Sequence, residues 1–314
     1  MTRRSPTLAV WPTLAVWLRA LRPLAHGNIA PPILLGQLLA LEAGHALTLG
    51  AFVLAHAFGL LDHAFIVFAN DLADHETDRD NLTHTPFSGG SRVVPEGLVS
   101  LEALRRAAIG AALALLLLTG LAALVLDRPL APLFAVGAIA LLWAYSHAPL
   151  RLSYRGGGEL LQGLGVGAVL PLWGFYAQAG TLARFPWRAL APLVALHTIG
   201  NVITALPDTP SDRRANKRTW PVRVGERRAR EHVLVGLALT LALLGLVVRT
   251  TLSPWLTLGV LTLPSLSLAL SLRWLADGDA EHRSACLRFV LATAGALGLA
   301  QLAWCLGLFL RGSP

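Results

Sequence analysis

Asn70, Asp74 and Asp78 recur every four residues in "NDLADHETDRD" (70–80), and Asp208 and Asp212 repeat that interval in "LPDTPSDRRANKRTWPVRVG" (206–225). At 3.6 residues per turn each set shares one helix face, with roughly 6 Å of rise between neighbours. Asp71 stands on the flank of the first stripe. Like charges at this spacing destabilise an isolated helix, so two such stripes point to cations held between them. Hard oxygen donors with no cysteine nearby suit Mg²⁺, which keeps several waters and is commonly bound by one or two carboxylates plus phosphate oxygens. Arg213, Arg214, Lys217 and Arg218 follow the second stripe, and Arg22 stands before the first apolar stretch. Carboxylates flanked by such cations suit a diphosphate carried between metal ions. Either segment alone fits a solvated loop equally well; the matched pair favours a site.

These carboxylates sit among segments built for lipid. Of the 314 residues, 54% are hydrophobic and 14% charged, where a soluble domain carries about a quarter charged. Apolar runs near the roughly 20 residues needed to cross a bilayer recur at 27–46, 49–69, 107–126, 130–147, 159–179, 189–207, 232–248, 254–272 and 286–310. The expected fold is all-α and polytopic: one transmembrane domain over 1–314, nine spans around a central cavity, with an acidic mouth. Residues 1–26 form a lead-in, with an amphipathic interfacial helix over 8–24. The tandem "PTLAVW" within it carries no functional reading.

All but five of the 26 Lys and Arg fall at the N-terminus or around the connections after spans 2, 4, 6 and 8; the five are Arg128, Arg184, Arg188, Arg249 and Arg311. Basic loops stay in the cytoplasm, so the N-terminus and both acidic segments are expected there and the C-terminus outside. The net charge of +8 is thereby assigned to membrane orientation rather than to nucleic acid. Cys286 and Cys305 are too few for a disulfide framework or a metal site and read as small packing residues.

At this point the chain resembles the UbiA superfamily of intramembrane prenyltransferases. "NDLADHETD" matches the family's NDxxDxxxD pattern. "DTPSDRRANKRT" matches its DxxxD with the following Lys-Arg-Thr, and "YSHAPLRLSYRGGGEL" (145–160) is similar to the stretch after its fourth helix. Two positions depart: Thr204 stands where Asn is usual, with Asn201 about one turn earlier, and Asn216 stands where Gly is usual.

The resemblance implies transfer of a polyprenyl group from a prenyl diphosphate to an aromatic acceptor, in the inner membrane of a bacterial or archaeal cell. Mg²⁺ would be held by Asn70, Asp74, Asp78, Asp208 and Asp212, with Asp71 joining the four other aspartates as a catalytic group. Arg22, Asn70, Arg92, Tyr145, Ser146, Lys217 and Arg218 would bind the diphosphate. "PFSGGSRVVPEG" (86–97) resembles the naphthoate-type branch, which points to 1,4-dihydroxy-2-naphthoate and menaquinone biosynthesis. Spacing does not separate that acceptor from 4-hydroxybenzoate, homogentisate, a porphyrin-derived ring or a lipid glycerol. By local chemistry alone the 86–97 stretch is equally an ordinary Gly/Pro loop.

Other features divide between site and scaffold. Asp62 and His63 fall inside span 2, where an ionisable residue costs roughly 2.5–3.5 kcal/mol and is functional by default. Adjacent residues diverge by about 100°, so the two are not each other's partners, and Asp62 is a candidate acceptor-site residue. "GLGVG" (163–167) imitates half a dinucleotide fingerprint without a preceding strand, so small-residue helix packing is its reading. His26, His56 and His197 read as local packing or hydrogen-bonding groups, and Glu159 as a cap for span 5. A cation-coupled transporter is the alternative from another class. Transporters set their ion sites near the midplane on broken helices, whereas these carboxylates gather at one end.

Overall fold

The computed structural model describes residues 13–85, 88–276 and 282–312. Its helices in chain order are α1 (Leu14–Ala20), α2 (Ala30–Glu42), α3 (Leu49–Arg79), α4 (Leu101–Val125), α5 (Ala131–Ser146), α6 (Leu152–Arg155), α7 (Gly158–Leu164), α8 (Leu170–Ala179), α9 (Leu190–Ala205), α10 (Thr209–Arg214), α11 (Trp220–Val224), α12 (Glu226–Val248), α13 (Pro254–Ser271) and α14 (Arg283–Gly312). Among the described residues the only β pairing is an isolated bridge between Thr85 and Ser88.

The helix starts follow from local chemistry. Thr48, Ser100 and Ser253 are extended N-caps whose hydroxyls accept from Ala51, Ala103 and Leu256 N–H groups, satisfying donors that have no partner inside the helix. Prolines open α2, α5 and α13, where the missing N–H costs nothing.

Six segments of the described chain are long and apolar enough to span a membrane: Leu49–Arg79, Leu101–Val125, Gly158–Ala179, Glu226–Val248, Pro254–Trp274 and Arg283–Arg311. A seventh is reached if Leu14–Asn28 and Ala30–Glu42, bent by 42°, count as one. The expected number of nine is therefore not established. Helices α5 and α9 occupy the expected fourth and sixth places but have only 16 residues each. At 1.5 Å per residue they fall short of the ~30 Å hydrocarbon layer. In the opposite direction, α3 runs ten residues past the end of its apolar stretch and carries the first acidic stripe as continuous helix. Residues 8–12 of the expected interfacial helix lie outside the described residues; α1 covers most of its remainder.

Large apolar side chains left exposed, such as Leu113, Leu117 and Leu124 on α4 and Leu258 and Leu266 on α13, are the lipid-facing surface of a chain whose interior is packed separately. Inside, α2 lies along α8, α3 along α4, and α13 along α14. Trp173 on α8 stacks on Phe58 of α3 at 4.4 Å and donates its Nε1–H to the Ala55 carbonyl at 3.2 Å. The "GLGVG" stretch sits against α9: a Cβ at Gly163 would come within 2.0 Å of Thr198 Oγ1, and one at Gly167 within 2.5 Å of the Leu193 carbonyl oxygen. It is a helix contact, as the sequence indicated. Residues 165–169 form a π turn between α7 and α8, a distortion frequent at functional sites. Cys286 and Cys305 are buried in the core, and buried His197 meets Gln301.

Candidate active site

The two acidic segments open on one cavity of about 260 Å³. Helix α3 supplies Asp62, Ile66, Asn70, Asp74 and Asp78, a stripe at four-residue intervals that runs from mid-helix to the helix end. The chain after α9 supplies Asp208, Ser211, Asp212, Lys217 and Thr219. Asp212 N–H donates to the Asp208 carbonyl at 2.8 Å, so the second stripe is helical too. Ile29, Leu141, Val166, Val169 and Leu170 form an apolar wall.

Each carboxylate has its own surroundings. Lys217 Nζ lies 3.1 Å from Asp74 Oδ2 and 3.9 Å from Asp212 Oδ1. Tyr154 OH donates to Asp74 Oδ1 at 2.8 Å, and Thr219 Oγ1 donates to Asp212 Oδ2 at 3.0 Å. Asp208 accepts from Asn81 Nδ2 at 2.7 Å and from the Gly89 N–H at 3.0 Å. Asp71 is not among the residues lining the cavity; it accepts from the Ser91 N–H at 3.1 Å and from the Ser91 hydroxyl, with Arg22 Nη1 at 3.8 Å. Asp78 lines the cavity, and among the described residues no hydrogen bond or ion pair reaches its carboxylate. Gly90 permits this arrangement: its φ is +69°, and a Cβ there would lie 2.1 Å from Asp78 Oδ2.

Burial pushes the Asp212 carboxyl up to about 7 against the pull of Lys217, and it raises Asp208 against its bond from Asn81. Burial also works to lower the Lys217 ammonium, but Asp74 and Asp212 outweigh it and hold it well above its ordinary value. Burial, reinforced by Asp74, takes the Tyr154 phenol up to about 12, so it remains a donor. Against Asp62, Asp74, Asp78, Asp208 and Asp212, the only Lys or Arg side chains that line the cavity among the described residues are Arg22 and Lys217. Negative charge is in excess.

That excess, with an open carboxylate at Asp78, is the donor chemistry a hard cation needs. Among the described residues no three acidic, His or Cys side chains converge as around a fully protein-ligated metal. Mg²⁺ does not require that, since substrate phosphate and water complete its shell. The residues fit it.

Of the seven residues expected at the diphosphate, Arg22, Asn70, Tyr145 and Lys217 line the cavity, and Arg92, Ser146 and Arg218 do not. Arg92 turns to the end of α3, donating from Nη1 to the carbonyls of Asp78 at 2.7 Å and Asn81 at 3.3 Å. Ser146 donates to Asn70 Oδ1 at 3.1 Å. Arg218 faces an outer pocket with Arg151 and Arg155. Asn81, Thr77, Tyr154 and Gln162 are neighbours that sequence reasoning passed over. Thr77 Oγ1 lies 2.9 Å from the Tyr154 phenol, and Asn201 Nδ2 donates to Gln162 Oε1 at 2.5 Å and to Tyr145 OH at 3.2 Å. Thr77 and Asn81 had a local signal, lying three residues, about one turn, beyond Asp74 and Asp78.

The two departures from the family pattern find places. Asn216 has φ of +53°, the left-handed region that Gly favours and Asn tolerates best among other residues. Thr204 lines the cavity while its hydroxyl donates back to the Gly200 and Asn201 carbonyls. Glu159 caps more than its own helix, since Oε1 accepts from the Trp220 N–H at 2.7 Å and Oε2 from the Gly157 N–H at 3.3 Å.

Residues 29–294 match the model of the UbiA prenyltransferase family. The chain belongs to the UbiA family. It is 32% identical over 305 residues to the 1,4-dihydroxy-2-naphthoate octaprenyltransferase of Mycobacterium tuberculosis, covering 92% of this chain and 99% of that one. A Bacillus subtilis protein of the same name is 25% identical over 127 residues, 40% of this chain and 41% of that one. The fold matches a UbiA homolog from Archaeoglobus fulgidus bound to GPP and Mg²⁺, with TM-score 0.66 and 20% identity over 91% of this chain and 99% of the other. It also matches the apo UbiA homolog from Aeropyrum pernix K1, with TM-score 0.64 and 20% identity over 91% and 98%. This UbiA chain is thus a prenyltransferase and an integral membrane protein.

Proposed function

We propose that this UbiA enzyme transfers a polyprenyl group from its diphosphate to 1,4-dihydroxy-2-naphthoate, a step of menaquinone synthesis, with Mg²⁺ as cofactor. The active-site mouth faces the cytoplasm of a bacterial or archaeal cell, in keeping with the basic residues around it. One observation carries the reading: two acidic stripes from distant parts of the chain line a single cavity whose carboxylates outnumber its cations. The mycobacterial relative's name supports the acceptor, and the Archaeoglobus homolog, bound to a prenyl diphosphate and Mg²⁺, supports the donor and the metal.

The residues divide the work. Arg22, Asn70, Tyr145 and Lys217 take diphosphate oxygens, Ser146 fixes the Asn70 side chain, and Arg92 holds the end of α3. Arg218 guides the anion from outside. Asn70, Asp74, Asp78, Asp208 and Asp212 hold Mg²⁺, which supplies positive charge to the leaving diphosphate. Asp71 supports this set through Arg22 and Ser91. The allylic C–O bond breaks with its electron pair on the diphosphate, an electron-rich ring carbon bonds to the allylic carbon, and the ring carbon gives up its proton, or its carboxylate as CO₂, to restore the aromatic ring. The apolar wall of Ile29, Leu141, Val166, Val169 and Leu170 receives the prenyl chain and keeps water from the cation.

The test is purified protein with labelled prenyl diphosphate, Mg²⁺ and a panel of aromatic acids. A product that depends on Mg²⁺ and is formed best from 1,4-dihydroxy-2-naphthoate is expected. Equal or better turnover of 4-hydroxybenzoate would overturn the acceptor, and turnover undiminished by EDTA would overturn the metal.

A further inference from the structure

Asp62 continues the four-residue stripe of α3 beneath the diphosphate-level groups, separated from Asn70 by Ile66. It is 3% exposed, lines the cavity, and its Oδ1 has no hydrogen-bond partner among the described residues. Its sequence neighbour does not serve it: His63 Nε2 is engaged with the Leu21 carbonyl at 2.6 Å, and its ring lies edge-on to His26. A buried carboxyl without a partner is a liability that a fold removes unless something else binds it. Eight residues of helix put it about 12 Å along α3 from Asn70. An allylic carbon and an aromatic ring placed end to end span that distance.

We propose that Asp62 accepts the proton of a ring hydroxyl on the aromatic acceptor and so makes the ring nucleophilic where it meets the allylic carbon. This rests on the prenyl-transfer reading above and assigns the acceptor end of the same cavity. As the hydroxyl proton passes to the carboxylate, the O–H electron pair moves into the ring and a ring carbon forms the new C–C bond. The allylic C–O bond breaks, and its pair leaves on the diphosphate. The resulting ring ketone becomes aromatic again when the substituted carbon loses its own proton to the departed diphosphate, or CO₂ where it bears a carboxylate, and Asp62 returns its proton to the oxygen. An ionised Asp62 also repels any acceptor carboxylate, so the hydroxyl and not the acid group points down the cavity. Acceptors without a ring hydroxyl are thereby excluded.

The experiment uses the full chain in lipid nanodiscs. Asp62→Asn is expected to bind a non-hydrolysable prenyl thiodiphosphate with Mg²⁺ as wild type does, while kcat falls about 10²–10⁴-fold. Asp62→Glu recovers part of the rate. A kcat for Asp62→Asn within about threefold of wild type would overturn the proposal; that threshold lies well below the usual effect of removing a general base. Should Asp62→Asn fail to fold, the wild type decides with 1,4-dihydroxy-2-naphthoate methylated at each hydroxyl in turn. Loss of turnover for at least one ether that still competes with the parent acceptor supports the assignment, and undiminished turnover of both ethers refutes it. Wild type giving no product from any acceptor would sink the transfer reading itself, and this assignment with it.

Discussion

The ammonium of Lys217 stands between the two acidic stripes, 3.1 Å from Asp74 Oδ2 and 3.9 Å from Asp212 Oδ1. It joins α3 to the chain after α9 by charge, and the side chain is only 12% exposed. One built-in cation therefore serves carboxylates that share their cavity with three others.

Replacing it tests that role. In Lys217→Met the facing carboxylates lose their counter-charge, so the metal-free protein should unfold at lower temperature than wild type. Added Mg²⁺ should raise its Tm by more than it raises that of wild type. Prenyl diphosphate binding should weaken some ten- to a hundredfold, since hydrogen bonds to charged groups contribute about 1.5–3 kcal/mol. Thermal unfolding with and without Mg²⁺ checks the first outcome, and titration calorimetry the second.

Gly90 offers a steric test. The left-handed backbone alone costs an alanine about 1–2 kcal/mol, and its Cβ would press on Asp78 Oδ2. Gly90→Ala should lower both Tm and turnover, whereas Gly97→Ala, also at positive φ but with open space around it, should lower Tm alone. Side-by-side melting curves and rates separate the two effects.

The segment leading to α2 has a pH dependence of its own. Arg19 donates to both Glu96 oxygens, at 2.7 and 2.6 Å, and to the Ser91 carbonyl at 3.0 Å. These bonds hold the Glu96 carboxyl below its usual value. A depressed carboxyl adds stability above its unfolded value of 4.5, and that stability is lost as pH falls through the folded value. Hydrogen-exchange protection over residues 14–20, taken relative to the intrinsic rate at each pH, should therefore fall below about pH 4.5 and in high salt, because the pair is 44% and 40% exposed. Glu96→Gln should show the lower protection already at pH 7.

The carboxylates were legible in the sequence because a helix converts a four-residue interval into a shared face. Asp74 and Asp78 needed nothing beyond α3, and Asp208 and Asp212 only one turn. Which cation enters the cavity was not legible. Arg213, Arg214, Lys217 and Arg218 look alike in one dimension, and the left-handed turn at Asn216 decides that Lys217 points inward and Arg218 to the outer pocket. Tyr154 and Gln162 were invisible for the same reason, since their partners Asp74 and Asn201 lie 80 and 39 positions away. The span count also went beyond what hydropathy can tell. Apolar runs marked α5 and α9, but where each helix ends is set by packing and turns, and both end short.

The central claim is that the two acidic segments act together on one metal-bound diphosphate. The most direct measurement is binding of a prenyl thiodiphosphate to wild type, Asp74→Asn and Asp212→Asn across a Mg²⁺ titration. Binding to wild type should require Mg²⁺, and each variant should lose most of that requirement together with most of its affinity. Wild-type affinity and Mg²⁺ dependence in either variant would contradict the account.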